Sequence, residues 1–347
     1  MCAHFPKYRE NQVELLSLVV LALLQAKDVR HAELAERFPG SAQTSSVIRR
    51  IERFFNHHPL CPADVAVVVL KLLPEARKRE FILDRTNWKL GQSDVNALVL
   101  AVLWRGVAVP LLFELLPHGG SSRTEIRLTL MSDVLCLLSC REIAMLYADR
   151  EFIGQDWITK LSRAGIPLCV RLRQDTFIDG SPARDWLQGL QPGMKGILVD
   201  RAEVYGQPMN VVLTYTQDGE ALVIASTSGS ASRILSGYRK RFRIECLFRA
   251  LKSKGFKLES THMTLHENVE RLLCLLTLAY VWCVLVGLLQ TCTVKVHGRR
   301  AWSVVTLGLR TLVRTFARIH ERGEVEALQL IGLLKSSQTL NSEGVGY

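Results

Sequence analysis

An unbroken apolar run, residues 272–289 (LLCLLTLAYVWCVLVGLL), constrains this chain more than any other feature. Apart from Thr277 and the Tyr280 hydroxyl, nothing in it is polar. A helix with no polar face either crosses a bilayer, here at the lower edge of the required length, or stands inside a large fold with other elements on every side. The run is the only one of its kind, and Glu267, Glu270 and Arg271 precede it directly. The expectation is a buried core helix and no membrane partner; a membrane anchor is the rival reading.

Around that helix the periodicity changes three times along 347 residues. Residues 1–76 read as helical: 13–26 apolar, 31–38 with Asp28 as its cap, and 47–56 capped by Thr44 or Ser45. Arg49, Arg50 and Arg53 fall on the polar side of the last of these. A short helix, a turn and a basic helix suit either a DNA-reading helix-turn-helix or a plain bundle. From residue 77 to 172 the texture is mixed. Glu80-Phe81-Ile82-Leu83-Asp84 reads as a strand ending in an aspartate. Residues 95–104 and 107–116 form a hairpin about Arg105-Gly106. A helix over 122–139 leads to a strand, 143–149, that also ends in an aspartate, Asp149. Cys136 and Cys140 look like small core residues. A helix over 154–164 and a strand over 167–172 complete a mixed α/β sheet. Residues 173–228 are β in texture and read as an insertion. Residues 229–297 return to helix, and 298–347 to C-terminal helices and a disordered tail.

The net charge of +11 and an isoelectric point near 9.4 favour a polyanionic partner. Nine cysteines without a C-x2-C pair, and an N-terminus lacking the order of a signal peptide, suit a reducing cytoplasmic setting.

The chemistry concentrates in residues 238–252, where Tyr238, Arg241, Glu245 and Lys252 are spaced Tyr-x2-Arg-x3-Glu-x6-Lys. At about 100° per residue these four lie within roughly 60° of one another on a helix. Ile244, Leu247, Phe248 and Leu251 line the neighbouring face. One carboxylate is thus set among cations, with Arg249 and Lys254 nearby. Asp84, Asp149 and Glu245 together make three hard oxygen donors. Such a set suits Mg²⁺, which keeps several waters and shares phosphate oxygens. Two such ions about 3.5–4 Å apart would serve phosphodiester chemistry.

This spacing resembles the signature of the insertion-sequence-four family of DDE transposases. Asp84-Arg85-Thr86-Asn87-Trp88-Lys89-Leu90-Gly91 looks like that family's first-aspartate block. Leu146-Tyr147-Ala148-Asp149-Arg150-Glu151-Phe152 looks like its second, and Gly255 to His262 continues the third. The resemblance implies a ribonuclease-H-like fold with a β insertion. It implies Asp84, Asp149 and Glu245 as catalytic ligands of Mg²⁺ or Mn²⁺, and Tyr238, Arg241 and Lys252 on DNA phosphates, with Arg249 and Lys254 beside them. It also implies cut-and-paste transposition at terminal inverted repeats through a hairpin intermediate, target DNA as a second substrate, and a homodimer across paired ends. Residues 1–76 would bind the end through Arg49, Arg50 and Arg53. The sequence departs from the family at the start of the last insertion strand. Relatives place a Trp there, and this chain reads Ala221-Leu222-Val223-Ile224; Trp186, Tyr205 and Tyr215 are the aromatic candidates to replace it. A DNA-binding protein without catalysis, and a nuclease without strand transfer, are the alternatives.

Overall fold

The structure is a computed structural model and describes residues 1–73, 77–91, 93–117, 119–296, 300–318 and 324–334, with the side chains of Cys2, Ser253 and Lys254 excepted. The expected tail, residues 336–347, lies outside them.

Four helices open the chain: α1 (Glu10–Ala26), α2 (His31–Ala35), α3 (Thr44–His57) and α4 (Pro62–Leu72). Each turns an apolar stripe inward; in α3 the stripe is Val47, Ile51, Phe54 and Phe55. Arg49 and Arg53 are exposed on its other side and Arg50 is half-buried. Neither Thr44 nor Ser45 caps α3, whose N-cap is Gln43 with no side-chain bond. Nor does Asp28 cap α2. It is buried, and it accepts hydrogen bonds from Arg30, from the Lys257 ammonium at 3.3 Å and from the Ser260 hydroxyl at 3.1 Å. Burial pushes its pKa up, but Arg30, Lys257 and Ser260 outweigh that and hold it well below the usual carboxylate range.

The middle of the chain builds one sheet. Its strands are β1 (Arg79–Leu90), β2 (Ser93–Trp104), β3 (Val107–Leu116), β4 (Ile143–Ala148) and β5 (Leu168–Arg171). Helix α5 (Thr124–Leu137) precedes β4, and α6 (Gln155–Arg163) joins β4 to β5. Then come a small separate hairpin, β6 (Phe177–Ile178) with β7 (Ser181–Pro182), helix α7 (Ala183–Trp186), and strands β8 (Ile197–Val204), β9 (Gln207–Tyr215) and β10 (Ala221–Ser226). The order is β3-β2-β1-β4-β5-β10-β9-β8. β1, β4 and β5 are parallel, and the other pairings are antiparallel. The segment expected as an insertion therefore extends the main sheet through β10, which pairs with β5. The β2–β3 turn has left-handed backbone at both Arg105 and Gly106, the geometry that matches strand twist in a two-residue hairpin. Cys136 is exposed, because α5 turns Leu130, Met131 and Val134 inward instead; Cys140 is half-buried against the core.

After β10 come α8 (Ala231–Arg239), a 3₁₀ turn at Lys240–Phe242, α9 (Arg243–Arg249) and a π turn at Ala250–Lys254. The single α-helix expected here is thus interrupted twice. Helix α10 (His266–Leu288) is the apolar run, and 89% of its most apolar stretch is buried. It packs against α1, α3, α4, β3 and α11 (Val304–Ala317), and α12 (Glu324–Gly332) follows. The core-helix expectation holds for a packing reason: helices and sheet cover α10 all round. At its crossing with α11, a Cβ on Gly287 would overlap the Val304 carbonyl, and one on Gly308 the Cys283 carbonyl. The glycines let the two backbones touch.

Candidate active site

The sheet register builds the first half of the site. β1 and β4 run parallel, and their last partners are Leu83 and Ala148. The next residue on each chain is Asp84 and Asp149, so the two carboxylates stand side by side where β4 stops. Contrary to the expectation from sequence, Asp84 does not end its strand. β1 runs on to Leu90 against β2, with Asp84 opposite Val99. The rim at this point is made by the end of β4 alone, at the carboxyl end of parallel strands, where open α/β sheets hold ligands.

The segment after β10 supplies the second half. Ile244, Leu247 and Leu251 are buried and Phe248 packs edge-on against Trp88, so the predicted core face is the observed one. The neighbouring face brings Tyr238, Arg241 and Glu245 to the aspartates. The Tyr238 hydroxyl donates to Asp149 Oδ1 at 3.0 Å. The Arg241 guanidinium donates from Nη1 to Asp84 Oδ2 at 2.9 Å and from Nη2 to Glu245 Oε1 at 3.1 Å. It also lies 5.9 Å from the Tyr238 ring centroid, within cation–π reach. Gly237 makes this approach possible, since a Cβ there would sit 2.9 Å from the Tyr147 hydroxyl.

Electrostatics follow from that crowding. Burial raises the pKa of Asp84 to about 6; Arg241 and the Arg85 N–H pull it down, and Asp149 and Glu245 push it further up. Burial works against the charge of Arg241, but Tyr238, Asp149, Asp84 and Glu245 outweigh it and hold its pKa above the ordinary arginine value. Burial, and then Asp149, raise Tyr238 well above a free phenol.

Lys252 does not join this group. Its ammonium pairs with Glu259 at 2.9 Å, beside a cleft of ≈ 680 Å³ that Asn87 and Lys89 also line. The π turn changes the angular step after Arg249, so Lys252 leaves the face that a regular 3.6-residue period gives it. Arg249 is exposed on α9. The Lys254 side chain lies outside the described residues. Arg49, Arg50 and Arg53 are on α3, with no hydrogen bond to this site among the described residues.

Two residues quoted in the sequence blocks turn out to brace the site. Arg85 grips Glu151 at 3.0 and 3.1 Å and reaches Asn87 and Asn96. Glu151 also accepts from the Ser122 N–H at the start of α5. Their closeness to the two aspartates in sequence was the available signal. A second cleft, ≈ 660 Å³, opens beside Asp149 and is lined by Arg150, Arg171 and Arg173, with Glu220 and Ala221 on its rim.

The family model described as the transposase DDE domain matches residues 75–282, more than half of the chain. The chain belongs to that family. It is accordingly a DNA transposase, and enzymes of this family generally use divalent metal ions. No curated protein matches the sequence. Among solved structures, a piggyBac transposase in a synaptic complex with hairpin DNA is similar, with a TM-score of 0.51 over 98% of this chain and 78% of that one. At 10% identity this likeness speaks for the fold alone.

The donor set of Asp84, Asp149 and Glu245 has the hard-oxygen chemistry that Mg²⁺ takes. Among the described residues no three carboxylate, imidazole or thiol groups already converge on one point. Arg241 spans the gap between Asp84 and Glu245. The donor chemistry fits a divalent ion, and Arg241 now engages one oxygen each of Asp84 and Glu245.

Proposed function

We propose that this transposase is of the insertion-sequence-four type and moves its own element by cut-and-paste. Asp84, Asp149 and Glu245 are its catalytic residues and hold Mg²⁺ or Mn²⁺, as two ions. The observation that carries the reading is that one helical segment meets both aspartates beside the end of β4: Tyr238 bonds Asp149, and Arg241 links Asp84 to Glu245. A bound divalent cation supplies charge stabilisation on the attacking and leaving oxygens of a phosphodiester.

The chain's own groups do the positioning. Arg150, Arg171 and Arg173 line the approach to Asp149 and suit a DNA backbone. Tyr238 orients Asp149, and Arg241, Arg249, Lys252 and Lys254 meet phosphates on either side of the cut. Water attacks a phosphorus at the element's end, the P–O3′ bond breaks, and a 3′-hydroxyl and a 5′-phosphate result. That hydroxyl attacks the opposite strand's phosphorus to close a hairpin and expels the flanking DNA's 3′-hydroxyl; a second water reopens the hairpin, and the restored 3′-hydroxyl attacks target DNA and expels a target 3′-hydroxyl. The place of the family's Trp falls at Ala221, which opens β10 and lines the cleft beside Asp149. Tyr215, its cross-strand partner, is the aromatic nearest to that place and takes over the stacking. Trp186 is half-buried and donates its indole N–H to the Ile178 carbonyl. Residues 1–76 read the element's end through Arg49, Arg50 and Arg53, and two copies pair the ends. The setting is the bacterial-type cytoplasm.

The test is cleavage of a duplex carrying the inverted repeats that flank the gene, with Mg²⁺, Mn²⁺ or EDTA. Metal-dependent nicking at the repeat boundary, lost in Asp84→Asn, Asp149→Asn and Glu245→Gln while end binding persists, is the expected result. Near-normal nicking by any one of the three removes that residue from the site.

A further inference from the structure

We propose that Arg241 gates the metal site: in the DNA-free chain its guanidinium occupies the carboxylate oxygens that a divalent cation would take, and a DNA phosphate opens the site by drawing Arg241 away. The inference rests on the metal-site reading above and adds a coupling between the two ligands.

The geometry is that of a tethered cation standing in a cation site. One guanidinium edge bridges Asp84 Oδ2 and Glu245 Oε1 at 2.9 and 3.1 Å. Arg241 and Asp84 are 17% and 16% exposed, so water screens their pairing weakly. Asp84 and Glu245 would hold a divalent ion through carboxylate oxygens, and the guanidinium now engages one oxygen of each. The two cations exclude one another by volume and by like charge. Lys240 is held by Glu80, and Lys252 by Glu259, so neither touches the three carboxylates.

Arg241 also has somewhere to go. It sits in the 3₁₀ turn between α8 and α9, beside the Tyr238 ring, on which a guanidinium can pivot and keep its cation–π contact. A phosphate offers it two parallel hydrogen bonds and a full negative charge, a match for what it gives up. Arg150 and Arg173 bring a DNA backbone to the cleft beside Asp149, where Arg171 is paired with Glu220. DNA binding then vacates two metal ligands, and metal binding frees Arg241 for DNA. Coupling of this kind is reciprocal: each ligand must raise the affinity of the other by the same factor. The enzyme thereby loads its metal where a phosphodiester is already in place.

The experiment is a Mn²⁺ titration of the full chain, read by the electron paramagnetic resonance of free Mn²⁺, with and without saturating short linear duplex. Mn²⁺ bound by the duplex alone is subtracted. Wild type should bind Mn²⁺ weakly without DNA and about tenfold or more tightly with it, within the range usual for coupled sites. Arg241→Gln should bind Mn²⁺ about tenfold more tightly than wild type without DNA, and DNA should add little further, since the gate is already gone. Equal Mn²⁺ affinity of wild type with and without DNA overturns the proposal, and so does an Arg241→Gln titration that matches wild type. If Arg241→Gln does not fold by circular dichroism, the wild-type pair decides alone. Mn²⁺ binding that Asp84→Asn and Glu245→Gln leave unchanged in both conditions sinks the metal-site reading itself, and this inference with it.

Discussion

The α10–α11 crossing and the α8–α9 segment solve opposite problems in one fold. At the crossing, two glycines bring backbones into contact, and nearly every α10 side chain from Leu272 to Gly287 is buried and apolar. Stability there comes from keeping charge and volume out. On α8–α9, Arg241 and Asp84 are charged groups held together with little water around them, and Glu245, more exposed, joins them through Arg241. Burial outweighs that pairing at Asp84, whose pKa is raised to about 6. The contrast is between a region that shapes the chain and a region that holds a carboxylate at unfavourable burial.

The comparison breaks most visibly if a charge enters the wrong region. Leu275→Asp places an unpaired carboxylate inside α10 and should cost about 3–5 kcal/mol, enough to abolish the folded state. A cooperative thermal transition close to wild type would show that α10 is not the core.

Removing a charge from the other region should leave the fold and remove the chemistry. Asp84→Asn, Asp149→Asn and Glu245→Gln should each slow nicking at least about 100-fold, the scale of losing one group that stabilises a transition state. Single-turnover rates on a labelled end measure it.

Asp84 then sharpens the contrast through pH. Its pKa rises from 3.8 in the free residue to about 6 in the fold. Between these values the native chain keeps a proton that the unfolded chain has released. Ionised Asp84 therefore disfavours folding, and stability falls as pH rises from about 4 to about 6, then stays level. Asp84→Asn lacks this loss. In EDTA its stability, from thermal melts, should gain on wild type across that window and hold the gain above it, by about 1–3 kcal/mol at neutral pH. A difference that is constant from pH 4 to 7 would refute the assignment.

Two smaller changes test the edges of each region. Gly308→Ala forces α11 off the Cys283 carbonyl and should cost about 1–3 kcal/mol by denaturant melts. Tyr238→Phe deletes the hydrogen bond to Asp149 and should cost only about 0.5–1.5 kcal/mol of stability.

Sequence revealed the apolar region more completely than the charged one, for physical reasons. Burial on all sides leaves an unmistakable run, and the end of α10 was legible to within one residue, while its polar start, from His266, was six residues earlier than the run shows. Also legible were β3 and β10, whose ends are set by Arg105-Gly106 and by polar turns. The far half of β1 was hidden. Arg85, Thr86, Asn87 and Lys89 are polar, and only Trp88 and Leu90 turn inward, too few for a strand pattern. The signature spacing named Tyr238, Arg241 and Glu245, because local helical geometry brings them together. It misplaced Lys252, since neither the 3₁₀ turn nor the π turn has a glycine or proline to announce it. Partners far apart in sequence were invisible. Arg85 with Glu151, and Asp28 with Lys257, pair across 66 and 229 positions, and a short-range pattern cannot find them.

That last pair has a mechanical meaning. Asp28 lies beyond α1, and Lys257 and Ser260 lie just past the helical segment that carries Glu245. Pulling the two apart would leave the buried Asp28 with Arg30 alone, so the joint resists opening. The far end of the segment holding Arg241 and Glu245 is thereby moored to the turn that follows the first long helix.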